Sequence, residues 1–388
     1  MIKLKDKPLI KVLTGMRRSG KSSLLLLFKE YLLENKIKLR NIIYINFESM
    51  EYNNITNYIE LYNYLKSKIQ NDKTYILLDE IQQVDGWEKT VNSLLVDFEV
   101  DIYITGSNAY LLSSELSTLL SGRYVEIKIY PLSFKEYLDF NTFSNNMTMP
   151  DKFNEYLKWG GLPAIGTLGE DSELISDYLS DVYNTVVLKD IIERNQIKDI
   201  ALLNNIVEYM SQNVGNLGSP KKISDFLNSS GQKTNNVTID NYLKMLENTY
   251  MFYKVSRYDV KGKQLLKTLG KYYIVDNGLR NNVLGFRNTD YGHVLENIVY
   301  LELLRRGYKV NIGKVSNLEI DFIATNVDEK KYIQVAYTVK DEEVLDREMK
   351  PLIKVKDNYE KIIITADETY LKDQDGIKFI NIIDFILS

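Results

Sequence analysis

The sequence contains no cysteine, only one histidine, His293, and six prolines in 388 residues. The lack of cysteine excludes disulfide bonds, thiolate zinc sites and cysteine nucleophiles, and one histidine cannot build a multi-histidine metal site. No uninterrupted apolar run approaches the ~20 residues that span a bilayer, and the N-terminus has no apolar segment of signal-peptide length. We therefore expect no membrane partner, although the lack of cysteine does not identify the compartment.

An excess of charge of one sign is also missing. The chain has 49 Lys and Arg against 53 Asp and Glu, a net charge of −4, so the whole chain lacks the basic character of a nucleic-acid-binding protein. Its 44% hydrophobic and 26% charged residues are typical of a globular protein. The length predicts two to four domains, at about 150 residues each.

A glycine-rich motif, Gly-Met-Arg-Arg-Ser-Gly-Lys-Ser at 15–22, lies between an apolar, strand-like run at 9–13 and a helix-like run at 21–35. It matches the G-x-x-x-x-G-K-[ST] phosphate-binding loop, and this context disfavours an ordinary glycine turn. Lys21 is expected to reach the β- and γ-phosphates of ATP, and the Ser22 hydroxyl to ligate Mg²⁺. The predicted nucleotide-binding residues are Gly15, Met16, Arg17, Arg18, Ser19, Gly20, Lys21, Ser22 and Ser23.

Two carboxylates, Asp79 and Glu80, follow an apolar run at 74–78. A buried parallel strand delivers acids in this way to its carboxyl end, where ligands of α/β proteins bind. We expect Asp79 to hold Mg²⁺ through water and Glu80 to act as the catalytic base on the attacking water. The alternative, two acids in a solvated turn, is disfavoured by the phosphate loop some sixty residues upstream.

Strands alternate with helices through the first 130 residues, which predicts an α/β fold with a doubly wound parallel sheet. Ser107 and Asn108 follow the strand at 100–105 and are expected to face the γ-phosphate, with a helix N-cap as the alternative for either. Arg123 precedes a strand at 124–130. It is a candidate arginine finger, acting in cis or from a neighbouring subunit, or else a surface salt-bridge residue.

The order of these motifs resembles that of the prokaryotic AAA-type P-loop ATPases, in the archaeal and bacterial branch whose ATPase is fused to a C-terminal domain of unknown function. The resemblance rests on the following segments: Gly-Met-Arg-Arg-Ser-Gly-Lys-Ser, Leu-Leu-Asp-Glu-Ile-Gln, Ile-Thr-Gly-Ser-Asn, Ser-Gly-Arg and Pro-Leu-Ser-Phe. It implies Walker A, Walker B and sensor roles for residues 15–22, Asp79–Glu80 and the Ser107 region, and it favours an ATP-linked role for Arg123.

Four segments are predicted: an ATPase core at 1–132, a helical lid or linker at 133–200, a winged helix at 201–284 and a nuclease-like α/β domain at 285–388. The winged helix is predicted from three helices followed by a hairpin with a basic tip, Lys261-Gly262-Lys263. Residues 219–263 carry eight basic and four acidic side chains, a local charge of +4. This charge permits DNA contact, and a protein-interaction module is the alternative.

The last hundred residues resemble the PD-(D/E)xK nucleases, with Glu296 on a helix and Asp321 on a strand, beside Glu319 as a spare acid. That chemistry needs two carboxylates on Mg²⁺ and a lysine. Gln334-Val335-Ala336 stands where acid-x-lysine is expected, and Lys340 lies about 13 Å farther along an extended strand, too far to substitute. We therefore predict a nuclease-like fold without nuclease activity.

The sequence as a whole predicts an enzyme, a Mg²⁺-dependent ATPase that hydrolyses ATP to ADP and phosphate and couples this to DNA or to an unknown protein partner. Two alternatives stay open. One is a nucleotide switch with negligible turnover, against which Glu80 argues, because a pure switch needs no positioned base. The other is an ATP-gated nuclease. Because ATP is used inside cells, we expect the protein to be cytoplasmic. Assembly into a homo-oligomer is left open.

Overall fold

The computed structural model describes residues 1–106, 120, 122–285, 291–368 and 372–388. These residues form two compact units. Unit 1 comprises Met1–Tyr130 with Asn248–Tyr250, and unit 2 comprises Pro131–Glu247 with Met251–Ser388. Among the residues described, no helix is both long and apolar enough to cross a bilayer.

Unit 1 contains a parallel sheet of five strands in the order β2-β3-β4-β1-β5. The strands are β1 (Ile10–Thr14), β2 (Ile42–Asn46), β3 (Thr74–Asp79), β4 (Val100–Gly106) and β5 (Tyr124–Lys128). The α-helices described in this unit are α1 (Lys21–Glu34), α2 (Tyr58–Lys68) and α3 (Trp87–Asp97). The parallel α/β prediction is confirmed for this unit.

The sheet forms because its strands are apolar on both faces, as expected of a parallel sheet covered on both sides. On one face Val12, Ile76 and Ile104 belong to a core that also holds residues of α2 and α3. On the other face lies a second core. It joins the strand residues Leu13, Leu77 and Tyr103 to the buried side of α1, which consists of Leu25, Phe28 and Leu32. Because all five strands are parallel, their carboxyl ends, including those of β1, β3 and β4, share one edge of the sheet.

Unit 2 begins with helices, two of which start with a side-chain capping box, at Ser133 and at Thr148. The helices of this unit are α4 (Phe134–Phe140), α5 (Met149–Trp159), α6 (Ile165–Leu168), α7 (Ser172–Asn184), a π-helical segment (Thr185–Glu193), α8 (Ile200–Gln212), α9 (Pro220–Ser229), α10 (Asn236–Asn248), α11 (Asn277–Leu284), α12 (Tyr291–Arg305), α13 (Glu342–Ile353) and α14 (Ile382–Leu387).

A mixed sheet of eight strands crosses unit 2 in the order β13-β12-β11-β10-β9-β7-β8-β6. Its strands are β6 (Leu217–Gly218), β7 (Phe252–Asp259), β8 (Gln264–Ile274), β9 (Lys309–Val315), β10 (Leu318–Thr325), β11 (Lys330–Ala336), β12 (Glu360–Thr365) and β13 (Ile377–Asn381). The antiparallel hairpin β7–β8 joins the later strands, because β7 pairs in parallel with β9. The sequence predicted the hairpin but not this pairing.

Candidate nucleotide-binding site

The glycine-rich loop connects β1 to α1, and two of its glycines are required by geometry. Gly15 has φ +149°, and a Cβ there would lie 2.1 Å from the Ile129 carbonyl oxygen, so any side chain would collide with backbone. Gly20 has φ +96° and caps the N-terminus of α1, a conformation that L-residues with side chains rarely adopt. The loop can therefore curl tightly only with glycine at both positions.

Lys21, the first residue of α1, is buried and folds back onto the loop. Its Nζ donates hydrogen bonds to the carbonyl oxygens of Gly15 at 3.0 Å and Met16 at 2.9 Å. The hydroxyl of the buried Ser19 makes no hydrogen bond to the part of the chain that the structure describes. A loop with a buried ammonium and an unsatisfied hydroxyl can accept the oxygens of an anion.

Asp79 ends β3 and is completely buried. Its carboxylate accepts hydrogen bonds from the Thr105 hydroxyl and, at 3.4 Å, from the Tyr44 hydroxyl. Burial and the nearby charge of Glu80 raise the pKa of Asp79, while the Thr105 and Ser22 hydroxyls and Lys21 act in the opposite direction. Because Ser22 and Lys21 act on this carboxylate, the phosphate loop lies close to the first acid.

Glu80 is the residue after β3 and adopts the left-handed conformation, with φ 53°. Such a conformation costs a residue with a side chain of the order of 1–3 kcal/mol and tends to occur at functional sites. The Glu80 N–H donates to the Thr105 hydroxyl at 3.0 Å, and its carboxylate accepts from the Gln82 amide. The backbone therefore turns sharply between the two acids, with one hydroxyl bonded to both residues.

Thr105 and Tyr44 are site residues that the sequence analysis missed. Thr105 is the second-last residue of β4, one before Gly106, and its hydroxyl links Asp79 to the Glu80 backbone. A threonine at the end of an apolar strand was the available signal. It could not be used, because the sequence does not show that β4 neighbours β3.

Oxygen donors at this edge fit a magnesium ion. Mg²⁺ prefers oxygen ligands and usually binds through one or two carboxylates, phosphates and waters. Asp79 supplies a buried carboxylate, and the Ser22 hydroxyl lies near enough to lower its pKa. Because burial penalises the charge of Asp79, a cation beside it would restore the favourable ionised state.

The remaining predicted residues lie in different surroundings. Arg17 pairs with Glu48 at 2.7 Å, whereas Arg18 and Ser23 are exposed. Arg123 has an exposed side chain, and its backbone carbonyl accepts from the Ile10 N–H at 2.8 Å, next to β1. Ser107 and Asn108 fall outside the described residues.

A phosphate loop after β1 and acids at the carboxyl end of β3 of a parallel sheet give unit 1 the arrangement of a P-loop nucleotide-binding fold. Residues 7–138 match a family model described as an AAA domain. Residues 150–290 match a second model, described as a domain of unknown function (DUF8612).

The chain has close full-length relatives. It is 46% identical over 390 residues to an uncharacterized protein of Haemophilus influenzae, covering 100% of this chain and 96% of the relative. It is 34% identical over 379 residues to an uncharacterized protein of Methanocaldococcus jannaschii, covering 94% and 81%. The chain belongs to the family of these two proteins.

Similarity to solved structures is distant. AMPPCP-bound DnaA from Aquifex aeolicus is similar over 61% of this chain and 81% of that chain, with 15% identity and a TM-score of 0.30. The PCH-2 protein of C. elegans is similar over 64% and 62%, with 15% identity and a TM-score of 0.25. Similarity at this level does not bear on function.

Proposed function

We propose that unit 1 binds ATP and hydrolyses it to ADP and phosphate with Mg²⁺. The observation that carries this proposal is that the phosphate loop and Asp79 of β3 lie at the same edge of the parallel sheet, where the Ser22 hydroxyl and the charge of Lys21 lower the pKa of Asp79. A phosphate-binding element and an acidic pair are thus placed where a nucleoside triphosphate and an attacking water could meet. The match of residues 7–138 to an AAA domain supports the same proposal.

In this proposal Lys21 exchanges the carbonyls of Gly15 and Met16 for oxygens of the β- and γ-phosphates. Backbone N–H groups of the loop bind the other phosphate oxygens. Asp79 and Ser22 hold Mg²⁺, which would neutralise charge on the phosphates when bound. Together these groups keep the γ-phosphate fixed for in-line attack.

Glu80 is proposed as the base that orients and deprotonates the attacking water. Thr105 holds its backbone, and Gln82 holds its carboxylate until substrate arrives. Ser107 is proposed to orient the same water from the end of β4.

A phosphate-release assay of the purified full chain tests this proposal. We expect ATP-dependent release that requires Mg²⁺ and disappears on chelation with EDTA. Binding of ATP without release would instead favour the nucleotide switch with negligible turnover.

Arg123 is proposed as an arginine finger, and its replacement gives a separate prediction. The side chain is exposed beside the strand that pairs with β1, so it is free to reach a nucleotide in a neighbouring subunit. Arg123→Ala should retain ATP affinity but lose turnover, because a finger stabilises transition-state charge and contributes roughly 10³–10⁵ in kcat. Steady-state phosphate release and ATP binding measured on the same preparation check this.

Mixing Arg123→Ala with Lys21→Ala distinguishes the two modes of action. If the finger acts between subunits, the mixture should regain activity, since one subunit supplies the finger and the other an intact site. Activity that stays absent in the mixture would indicate action in cis. Normal turnover in Arg123→Ala alone would contradict the assignment.

For unit 2 we propose a helical lid or linker at 133–200, a winged helix at 201–284 and a nuclease-like domain at 285–388. The winged helix is supported by helices α8, α9 and α10 followed by the hairpin β7–β8. Seven lysines whose side chains are described in this segment are exposed, which favours contact with a phosphate backbone over a purely structural role, whereas Lys271 and Arg280 are buried. The exposed lysines are Lys221, Lys222, Lys233, Lys244, Lys254, Lys261 and Lys263.

DNA binding by this segment should therefore depend on the hairpin tip. The double variant Lys261→Glu, Lys263→Glu should bind duplex DNA more weakly. Each lysine–phosphate contact releases about one counterion from the DNA, which favours binding, and the variant loses these contacts. Fluorescence anisotropy across a salt series measures both affinity and its salt slope, which should become shallower. ATP turnover without DNA should not change.

A matched pair, Lys354→Glu with Lys356→Glu, serves as the control, since these lysines are also exposed and two residues apart in unit 2. We expect DNA binding by that control to stay near the wild-type level. Equal losses in both double variants would contradict a specific role for the hairpin. No binding by the wild type at low salt would favour a protein-interaction module.

The nuclease-like domain is proposed to lack nuclease activity. Glu296 on α12 and Asp321 on β10 match the acidic positions of such a site. Gln334 instead accepts a hydrogen bond from the Asp321 N–H at 2.8 Å and donates one to Glu348 at 2.7 Å. Lys340 is exposed and lies 3.9 Å from Asp367. This argues against the ATP-gated nuclease.

A further inference from the structure

Three carboxylates of unit 2 converge on one buried lysine, Lys271. Its Nζ lies 2.8 Å from Glu296 Oε1, 2.9 Å from Glu319 Oε1 and 3.3 Å from Asp321 Oδ1. The Lys271 side chain is 5% exposed. It comes from β8, whereas the acids come from α12 and β10. We call these four residues the Lys271 cluster.

The acids need a cation because they are crowded and shielded from water. Burial and the charge of Asp321 raise the pKa of Glu296 to about 7, although Lys271 and the Tyr273 hydroxyl lower it. Burial alone would lower the pKa of Lys271, but the surrounding carboxylates raise it above its ordinary value. The carboxylates therefore keep Lys271 charged, and Lys271 opposes the burial that favours the neutral form of Glu296.

The geometry of the Lys271 cluster is that of an ammonium and not of a metal. An ammonium has three protons, and here three different carboxylates lie within ion-pair distance of it. The oxygens lie 2.8–3.3 Å from the nitrogen, so a divalent ion in its place would have to draw them in to roughly 2.0–2.1 Å for Mg²⁺ or 2.3–2.6 Å for Ca²⁺. In the part of the chain that the structure describes, no group of three acidic or histidine residues is arranged to hold a metal ion.

Groups other than Lys271 also hold two of the acids. β10 has a register irregularity against β9 between Ile320 and Ile323, at Asp321, and such irregularities re-aim side chains. The second Asp321 oxygen accepts from the Val335 N–H at 3.0 Å, and Tyr273 donates to Glu296 at 2.6 Å. The carboxylates are thus held in place by groups other than Lys271.

We propose that the Lys271 ammonium occupies the position of a divalent cation in this cluster. The wild-type cluster therefore binds no metal ion, and it becomes a divalent-cation site when Lys271 is replaced by an uncharged residue. This inference concerns unit 2 alone and does not depend on ATP hydrolysis by unit 1.

The test compares Mn²⁺ binding by nucleotide-free wild type and Lys271→Met, which keeps a long apolar side chain and removes the charge. Electron paramagnetic resonance of free Mn²⁺ counts the bound ions. We expect one more Mn²⁺ per chain in Lys271→Met, and Mn²⁺ should raise the Tm of that variant but not of the wild type. Any Mn²⁺ bound at the phosphate loop is common to both proteins and cancels.

Two controls make the result specific to the cluster. Adding Asp321→Asn to Lys271→Met should remove the extra ion, whereas Lys340→Met, the same change at an exposed lysine, should add none. A folded Lys271→Met that binds no extra Mn²⁺ would overturn the proposal.

If Lys271→Met does not fold, the wild type and Asp321→Asn decide the matter. The proposal expects equal Mn²⁺ counts in these two proteins, and no plasmid cleavage that depends on Asp321. One Mn²⁺ fewer in Asp321→Asn would show that the wild-type cluster binds metal, and would overturn it.

Discussion

Lys21→Ala is expected to abolish nucleotide binding. The ammonium that now bonds to Gly15 and Met16 is the buried cation proposed to meet the β- and γ-phosphates. Hydrogen bonds to charged groups are worth about 1.5–3 kcal/mol each, so losing two should weaken binding at least ~100-fold. Isothermal titration calorimetry with a non-hydrolysable ATP analogue measures this.

The matched control is Arg18→Asn, which removes a second positive charge from the same loop. Arg18 is exposed and has φ 68°, a conformation that asparagine tolerates. Because its side chain is not proposed to contact the phosphates, affinity should change much less than in Lys21→Ala. Similar losses in both variants would mean that general charge, and not the position of Lys21, drives binding.

Glu80→Gln is expected to keep ATP bound while hydrolysis falls by roughly 10²–10⁴, the usual contribution of a general acid or base. The amide cannot accept the proton of the attacking water, but it has nearly the shape of the acid. Single-turnover hydrolysis beside ATP binding separates the two effects. Glu34→Gln, the same substitution at an exposed position at the end of α1, should behave as wild type.

Thr105→Val extends this prediction to the position of the base. The substitution removes the hydroxyl that bonds to Asp79 and to the Glu80 N–H, and should lower turnover, whereas Thr105→Ser should restore it. Unchanged turnover in Glu80→Gln would contradict the assignment of the base. Loss in Glu80→Gln with full activity in Thr105→Val would show that Thr105 is not needed to hold it.

The fold of unit 1 could be predicted because its signals are local. Apolar runs of strand length alternate with helical runs, and the inner strands β1, β3 and β4 are buried on both faces. The sequence could not give the strand order β2-β3-β4-β1-β5, because pairing between distant strands leaves no local pattern. For this reason Asp79 was found and Thr105 on the neighbouring strand was not.

The eight-stranded sheet of unit 2 was harder to predict for a similar reason. The hairpin β7–β8 was predicted, but its parallel pairing with β9 joins segments about fifty residues apart. That pairing belongs to the same sheet that brings Lys271 to Glu296 and Asp321. The acid-x-lysine pattern is defined within one strand, where Ala336 occupies the lysine position. It therefore could not reveal Lys271, which lies on another strand.

The central claim is that the site formed by Lys21, Asp79 and Glu80 turns over ATP. The most direct measurement is a single-turnover experiment in which wild type in molar excess is mixed with ATP labelled at the γ-phosphate and Mg²⁺, and the label is followed by acid quench. Our account predicts that all bound ATP becomes ADP and free phosphate. ATP that stays bound and uncleaved would contradict it and favour a nucleotide switch.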